Sequence, residues 1–400
     1  MKPRILILMH YMELGGAESA LLGLLQSIDP DRVDVDVFIY DHRGELMKYI
    51  PTDKVKLLPE VTAYKMIERP IGECLKAGQY GVALGRWLAS QTVDKSPVPK
   101  NKHDIRIFTR IADWVEHFLP KIQPDVEYDL AISFLMPHNY VIKKVRAKKK
   151  LGWIHTDYST VYVDVKRELP VWGQLDYIAS ISEGVGEKFV NTFPTLRDIV
   201  IPIENILSSR FIRQRAEEEA VLLCDNPSTI RLLTIGRFSP PKKMEEIPLI
   251  CKKIVGEGVD VKWFIIGFGG AEIEQLVRDN AKQEGVSDRI VLLGKKDNPY
   301  PYIKACDIYV QPSRYEGKSI TVREAQILCK PVLVTNYPTA ASQIQNGVDG
   351  IIVPMEVGAC AREMISLIRD KEKQREIICY LESHDYGNEH EIEKIYQLCE

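Results

Sequence analysis

The chain has 400 residues, more than the roughly 250–300 at which one hydrophobic core stops growing, so two domains are expected. A composition of 45% apolar and 27% charged residues excludes a disordered or fibrous chain. The balance of 53 Lys and Arg against 56 Asp and Glu, a net charge of -3, gives no global basis for binding nucleic acid. Locally the charge is uneven, because residues 51–150 carry 18 basic and 11 acidic side chains.

In chain order, Lys2-Pro3-Arg4 leads into Ile5–Met9, an apolar run too short for the core of a signal peptide. No later run approaches the ~18 apolar residues of a membrane span, so a cytoplasmic chain is expected. Strands are expected at Arg4–Met9, Val33–Tyr40, Tyr128–Phe134, Leu151–His155, Tyr177–Ser182 and Ile199–Ile203. A second series follows at Ile230–Gly236, Val261–Gly267, Arg289–Gly294, Asp307–Gln311, Pro331–Thr335 and Ile351–Val353. Helical patterns alternate with these runs, which predicts two doubly wound, Rossmann-like α/β domains with parallel sheets. The turn-rich, charged stretch from Glu204 to Thr229 marks the joint, giving domains 1–203 and 204–380. Residues 381–400 close the chain, with Ile392, Ile395, Tyr396 and Leu398 at helical spacing. The eight cysteines, Cys74, Cys224, Cys251, Cys306, Cys329, Cys360, Cys379 and Cys399, stand singly, which predicts free thiols and neither a zinc site nor a disulfide framework.

In doubly wound sheets ligands sit outside the carboxyl ends of strands, so chemistry is sought in strand-end loops. The strongest constellation is Ser313-Arg-Tyr-Glu-Gly-Lys-Ser-Ile-Thr-Val-Arg-Glu-Ala325. A helix starting near Ser319 or Thr321 would present free amides to an anion, with Glu316 in the loop and Glu324 in the first turns, an arrangement suited to a phosphorylated polyol. Gly236-Arg-Phe-Ser-Pro-Pro-Lys-Lys243 offers Arg237 and Lys242 as a fixed guanidinium and a mobile ammonium that can neutralise a diphosphate without metal. Gly15-Gly16-Ala17-Glu18 opens the first helix, where bare backbone can approach a phosphate. Neither this turn nor Gly267-Phe-Gly269-Gly270 completes the dinucleotide fingerprint. His155 ends its strand, where an imidazole can serve a sugar hydroxyl, whereas Asp34-Val35-Asp36 sits inside an alternating strand and is not expected to hold metal.

Taken together, Gly15-Gly16-Ala17-Glu18, His155, Gly236-Arg237 with Lys242, Gly267-x-Gly269, and Glu316-Gly317 through Glu324-Ala325 resemble glycosyltransferase family 4, retaining enzymes of the GT-B fold. That resemblance implies two Rossmann-like domains facing a central cleft. The first would bind the acceptor and the second a nucleotide diphosphate-sugar, with the last helix crossing back to the first domain. It implies that Arg237 and Lys242 hold the diphosphate, Glu324 the ribose, and Glu316 the sugar hydroxyls. Gly317 and the amides of Lys318, Ser319 and Ile320 would steer sugar and phosphate, Gly267 would line the donor site, Gly15 and Gly16 would touch the phosphate from the other domain, and His155 would lie at the sugar. Lys318 stands where the family has a bulky apolar residue, which bears on the sugar or acceptor taken.

The expected function is transfer of a hexose from a UDP-sugar, with retention and no metal or other cofactor, to a glycan or lipid-linked glycan in surface-polysaccharide assembly. A nucleotide-sugar epimerase and a non-catalytic sugar-nucleotide binder are the alternatives. The basic run Lys143–Lys150 and the amphipathic pattern Ile105–Ile122 suggest peripheral contact with an anionic membrane, set against a solvated basic helix end.

Overall fold

The computed structural model describes residues 2–99 and 102–399. Its contacts divide the chain into two units, Met1–Ile206 with Glu389–Glu400, and Leu207–Asn388. Among the described residues no helix is long and apolar enough to cross a membrane.

The first unit contains β1 (Arg4–Met9), β2 (Asp34–Ile39), β3 (Lys56–Leu57), β4 (His103–Asp104), β5 (Tyr128–Ser133), β6 (Ala147–Ile154), β7 (Val161–Tyr162), β8 (Tyr177–Ser180) and β9 (Val200–Pro202). Seven of these form one parallel sheet in the order β3-β2-β1-β5-β6-β8-β9, and β4 pairs with β7 in a separate ribbon. Ile5 through Met9 are buried side by side, as expected where helices cover both faces of a parallel sheet. Asp36, in β2, is buried and accepts a 2.6 Å hydrogen bond from the Tyr128 hydroxyl. Its role is to hold β2 to the inner strands, in line with a strand reading of Asp34-Val35-Asp36.

The second unit contains β10 (Ile230–Ile235), β11 (Val261–Ile266), β12 (Ile290–Gly294), β13 (Ile308–Gln311), β14 (Val332–Thr335) and β15 (Ile351–Val353), all parallel, in the order β12-β11-β10-β13-β14-β15. Alternate residues of each strand enter opposite cores. Leu232, Trp263, Ile265, Val310 and Leu333 pack under the helices Ile247–Gly256 and Val357–Arg369. Leu233, Ile235, Phe264, Tyr309 and Val332 meet Tyr300, Ile303, Val322 and Ala325 on the other face.

The structure changes three details of the sequence reading. The joints lie after Ile206 and Asn388 rather than after 203 and 380. The Glu204 amide donates to Glu391 of the last segment, while Tyr386 bonds Asp349 and the Leu207 amide donates to Asn388, so each short stretch is tied to its own unit. The basic run is a helix end only in its first two residues. It spans the end of the helix Asn139–Lys144 and the start of β6, and most of its charges are engaged. Lys144 and Lys150 donate to the Leu119 and Ile142 carbonyls at 2.8 Å, and Lys148 pairs with Asp129 at 2.7 Å. The short strands β3, β4 and β7, two residues each, carry no periodic signal and were not expected.

Candidate functional site

In the second sheet the chain leaves β10 toward β11 and leaves β13 toward β14, so the order reverses between the neighbours β10 and β13. A crevice opens outside the carboxyl ends of strands at such a switch point. The loop after β10 brings Gly236 to Lys243 there, and the loop after β13 brings Pro312 to Ser319. Their side chains meet. Lys242 Nζ donates to both oxygens of Glu316, at 2.7 and 2.8 Å. Ser313 Oγ and Gln311 Nε2 donate to Glu316 Oε1 at 2.6 and 3.0 Å. Gln311 is in turn held by the Tyr309 hydroxyl at 2.7 Å. Glu316 is thus a buried carboxylate whose position is set by three neighbours, with the larger share of its bonding on one oxygen. Arg237, five residues before Lys242 on the loop after β10, is exposed and has no side-chain partner among the described residues.

The two loops are fastened to each other by backbone as well as side chain. The Arg314 amide donates to the Pro241 carbonyl at 2.7 Å, and its guanidinium reaches the Pro240 carbonyl, Glu245 and Glu246. Lys243 adopts a left-handed φ of 56°, which turns its side chain away from Lys242 toward the Met355 carbonyl and Glu246. Adjacent lysines therefore do different jobs. Gly267 and Gly270 lie under the same loop. A Cβ at Gly267 would fall 2.3 Å from the Gly236 carbonyl oxygen, and one at Gly270, φ +54°, 1.7 Å from that of Phe238. Their bareness is explained by the crossing of two loops. At Gly317, by contrast, a Cβ would meet nothing within 4 Å.

Ser319 is the N-cap of the helix Ile320–Ile327, the earlier of the two starts, Ser319 or Thr321, that the sequence allowed. Its amide is already bonded to Gln343 Oε1 at 3.0 Å, and Gln343 Nε2 returns a bond to the Ser319 carbonyl. Of the three amides expected to meet an anion, Ser319's is therefore engaged by the protein itself. Glu324, one turn on, is buried and accepts a 2.9 Å bond from the buried Tyr300 hydroxyl. Burial pushes its carboxyl up to about 7, with the Tyr300 bond and the Arg215 charge pulling the other way. Arg215 is itself buried, with its guanidinium 5.4 Å from the Tyr300 ring centre.

The glycosyl transferases group 1 family matches residues 224–383, the stretch that holds Arg237, Lys242, Glu316 and Glu324. Residues 224–383 are a group 1 glycosyltransferase domain. The chain is 30% identical over 151 residues to the capsular polysaccharide biosynthesis glycosyltransferase CapM of Staphylococcus aureus, covering 36% of this chain and 38% of that one. It is 30% identical over 149 residues to the N-acetyl-alpha-D-glucosaminyl L-malate synthase of Bacillus anthracis, covering 36% and 37%. The chain thus spans well under half the length of these relatives. Over its whole length the fold matches Anabaena HepE in complex with UDP, at a TM-score of 0.63, 16% identity and 99% of both chains. The architecture is GT-B, with two parallel-sheet domains.

The group 1 domain thus gathers Lys242, Glu316 and Gly317 at one strand-end crevice, with Gly267 beneath and Glu324 on the adjoining helix. Gly15, Gly16 and His155 belong to the first unit. Gly15 caps the helix Gly16–Ser27, and a Cβ on it would lie 2.1 Å from Glu18 Oε2. The protein's own carboxylate therefore stands at the helix start where the sequence suggested a phosphate. His155 packs against Phe134, ring centres 4.6 Å apart, and stacks on Trp153. Burial pushes its imidazole down to about 3, against a bond to the Phe134 backbone, so it is neutral at physiological pH. It can donate or accept a hydrogen bond but brings no positive charge.

Several residues of the group 1 domain's site escaped sequence reasoning. Ser313 and Gln311 stand close to Glu316 in sequence, and an extended turn could have suggested their convergence. Arg215 and Tyr300 carry no local signal, because a charged helix and an aromatic near a proline read as surface and core.

Proposed function

We propose that the chain is a retaining glycosyltransferase that moves a hexose-type sugar from a UDP-sugar to a glycan or lipid-linked glycan, without metal, in surface-polysaccharide assembly, working at an anionic membrane surface. The observation that carries this reading is the Lys242–Glu316 pair at the switch point of the group 1 domain. Each member is the complement of one half of a nucleotide diphosphate-sugar. The diphosphate attracts Lys242 and the unpaired Arg237, and sugar hydroxyls donate to Glu316, which Ser313 and Gln311 keep in place once its lysine turns away. Glu324 accepts from the ribose hydroxyls, and the open space over Gly317, with the amides of Lys318 just before the helix and of Ile320 at its start, receives sugar and phosphate.

In the transfer step the bond from the anomeric carbon to the diphosphate oxygen breaks. The acceptor oxygen bonds the same face of that carbon, and its proton passes to the departing phosphate oxygen. Arg237 and Lys242 lie where negative charge grows, and this electrostatic stabilisation together with positioning supplies the catalysis. The first unit takes the acceptor, with His155 as a neutral hydrogen-bonding group. The capsule and UDP named for CapM and HepE support the reading.

Calorimetry with UDP, GDP, ADP and NAD in EDTA tests it. Selective UDP binding is expected, and Arg237→Ala should weaken it by about tenfold or more, the worth of a hydrogen bond to a charged group. Binding of NAD alone overturns the proposal. Conversion of a UDP-sugar into its epimer without any acceptor and without net release of UDP would favour the epimerase instead.

A further inference from the structure

Of the nine large apolar side chains that stand exposed among the described residues, six lie between 75 and 118: Leu75, Tyr80, Leu84, Trp87, Phe108 and Phe118, exposed by 41 to 69%. They sit on adjoining elements. The helix Tyr80–Thr92 packs antiparallel to the helix Arg106–Val115 and the turn that follows it. The seam is made of small residues. A Cβ on Gly81 would fall 2.7 Å from the Phe118 ring, and one on Gly85 3.0 Å from Val115 Cγ2. At the other end Arg110 Nε and Trp114 Nε1 both donate to Thr92 Oγ1 at 2.9 Å. With Gly81, Gly85 and Ala89 spent on the seam, Tyr80, Leu84 and Trp87 recur at spacings of four and three on a different stripe of the same helix. Phe108 is exposed on the partner helix, and Phe118, whose ring lies against Gly81, is exposed where the two elements meet. The two stripes make one apolar ridge, a concentration that soluble surfaces rarely leave uncovered.

We propose that this helix pair is the surface by which the protein docks on an anionic lipid bilayer. The composition and the charge commit the ridge to that occupant. Tyrosine, tryptophan and phenylalanine on helices lying side by side match the aromatic layer of a membrane interface, into which an apolar helix face sinks by several ångströms. The exposed Lys76, Lys95 and Lys121 have no ion-pair partner among the described residues. The acidic Asp94 and Asp104 beside them are turned onto the buried Arg106. Residues 72–121 carry eight Lys and Arg against five Asp and Glu. The basic run Lys143–Lys150 takes no part, because most of its charges are engaged within the unit.

The inference deepens the reading of a lipid-linked acceptor, and its test is read without sugar transfer. Co-sedimentation of the full chain with mixed phosphatidylglycerol–phosphatidylcholine vesicles and with pure phosphatidylcholine vesicles is compared for wild type and Trp87→Glu/Phe108→Glu. The wild type should favour the anionic vesicles, and the double variant should bind them about tenfold or more weakly, since two apolar side chains no longer leave water. UDP affinity should be equal in both proteins, and if UDP fails to bind either, the transfer reading falls while the docking result stands. Should the glutamates lower the thermal midpoint, Trp87→Ser/Phe108→Ser replaces them. Absence of vesicle binding, equal binding to both vesicle types, or equal binding by variant and wild type overturns the proposal. So does wild-type self-association that the double variant disperses while vesicles bind neither protein, which would make the ridge an interface between copies of the chain.

Discussion

Glu316 and Gly317 are neighbours with opposite constraints. The carboxylate is gripped by Lys242, Ser313 and Gln311, whereas the glycine faces open space and has no left-handed φ that would demand it. Gly317→Ala should therefore leave stability within about 0.5 kcal/mol and still lower donor affinity, because the new methyl occupies the place assigned to the ligand. Thermal denaturation beside UDP-sugar calorimetry reads both, and wild-type affinity would remove the ligand from that space. Gly270→Ala should instead destabilise by about 3 kcal/mol or more, through a left-handed φ and a backbone clash. In the first unit Glu168 is buried with neither oxygen meeting a hydrogen-bond partner. Burial pushes its carboxyl from 4.5 up to about 7. The fold therefore prefers the protonated form. That contribution is fully present below the unfolded value of 4.5 and lost as pH rises through about 7. Glu168→Gln, which cannot ionise, should match the wild type near pH 4 and exceed it by about 3 kcal/mol near pH 8. Urea titrations at the two pH values check this, and parallel behaviour of the two proteins would contradict it.

The last helix, Ile392–Gln397, is six residues long, too short to hold its shape alone in water. It is ordered by what it covers. Ile392, Ile395 and Tyr396 are buried on the first unit, the Asp29 amide donates to the Tyr396 hydroxyl at 2.9 Å, and Arg32 lies 4.4 Å over the Tyr396 ring while pairing with Glu393. Tyr396→Ala should cost about 3 kcal/mol as a buried aromatic is emptied, and Tyr396→Phe about 1 kcal/mol as one hydrogen bond is lost. Chemical denaturation followed in the first unit measures both, and an unchanged midpoint for the alanine variant would show that the helix is not held by this contact. The apolar spacing of Ile392, Ile395 and Tyr396 made this helix readable in sequence, as did the apolar runs of the twelve expected strands. The basic run 143–150 was only partly legible, because six cations in eight residues look the same whether they end a helix, as Lys143 and Lys144 do, or begin a strand. Asp129 and the Leu119 and Ile142 carbonyls, which receive them, come from other elements.

At the scale of the whole chain, amino-acid order alone determined where the twelve expected strands fall, because burial on both faces of a parallel sheet demands continuous apolar runs and polar breaks between them. It also carried the strand-end motifs around Arg237, Lys242, Glu316 and Glu324, since a strand-end loop and the helix after it are local features. Tertiary structure alone decided who meets whom. Lys242 and Glu316 are separated by 74 positions and touch because β10 and β13 are neighbours in the sheet. Glu324 is pushed up to about 7 because helices cover it, and Arg215 reaches it from before the first strand of its unit. The apolar ridge between 75 and 118 stays uncovered because the small residues of one helix, and not its aromatics, were taken into the seam. Strand order, helix docking and the charge state of buried groups depend on distant parts of the chain. A side chain's chemistry is local, and its surroundings are not.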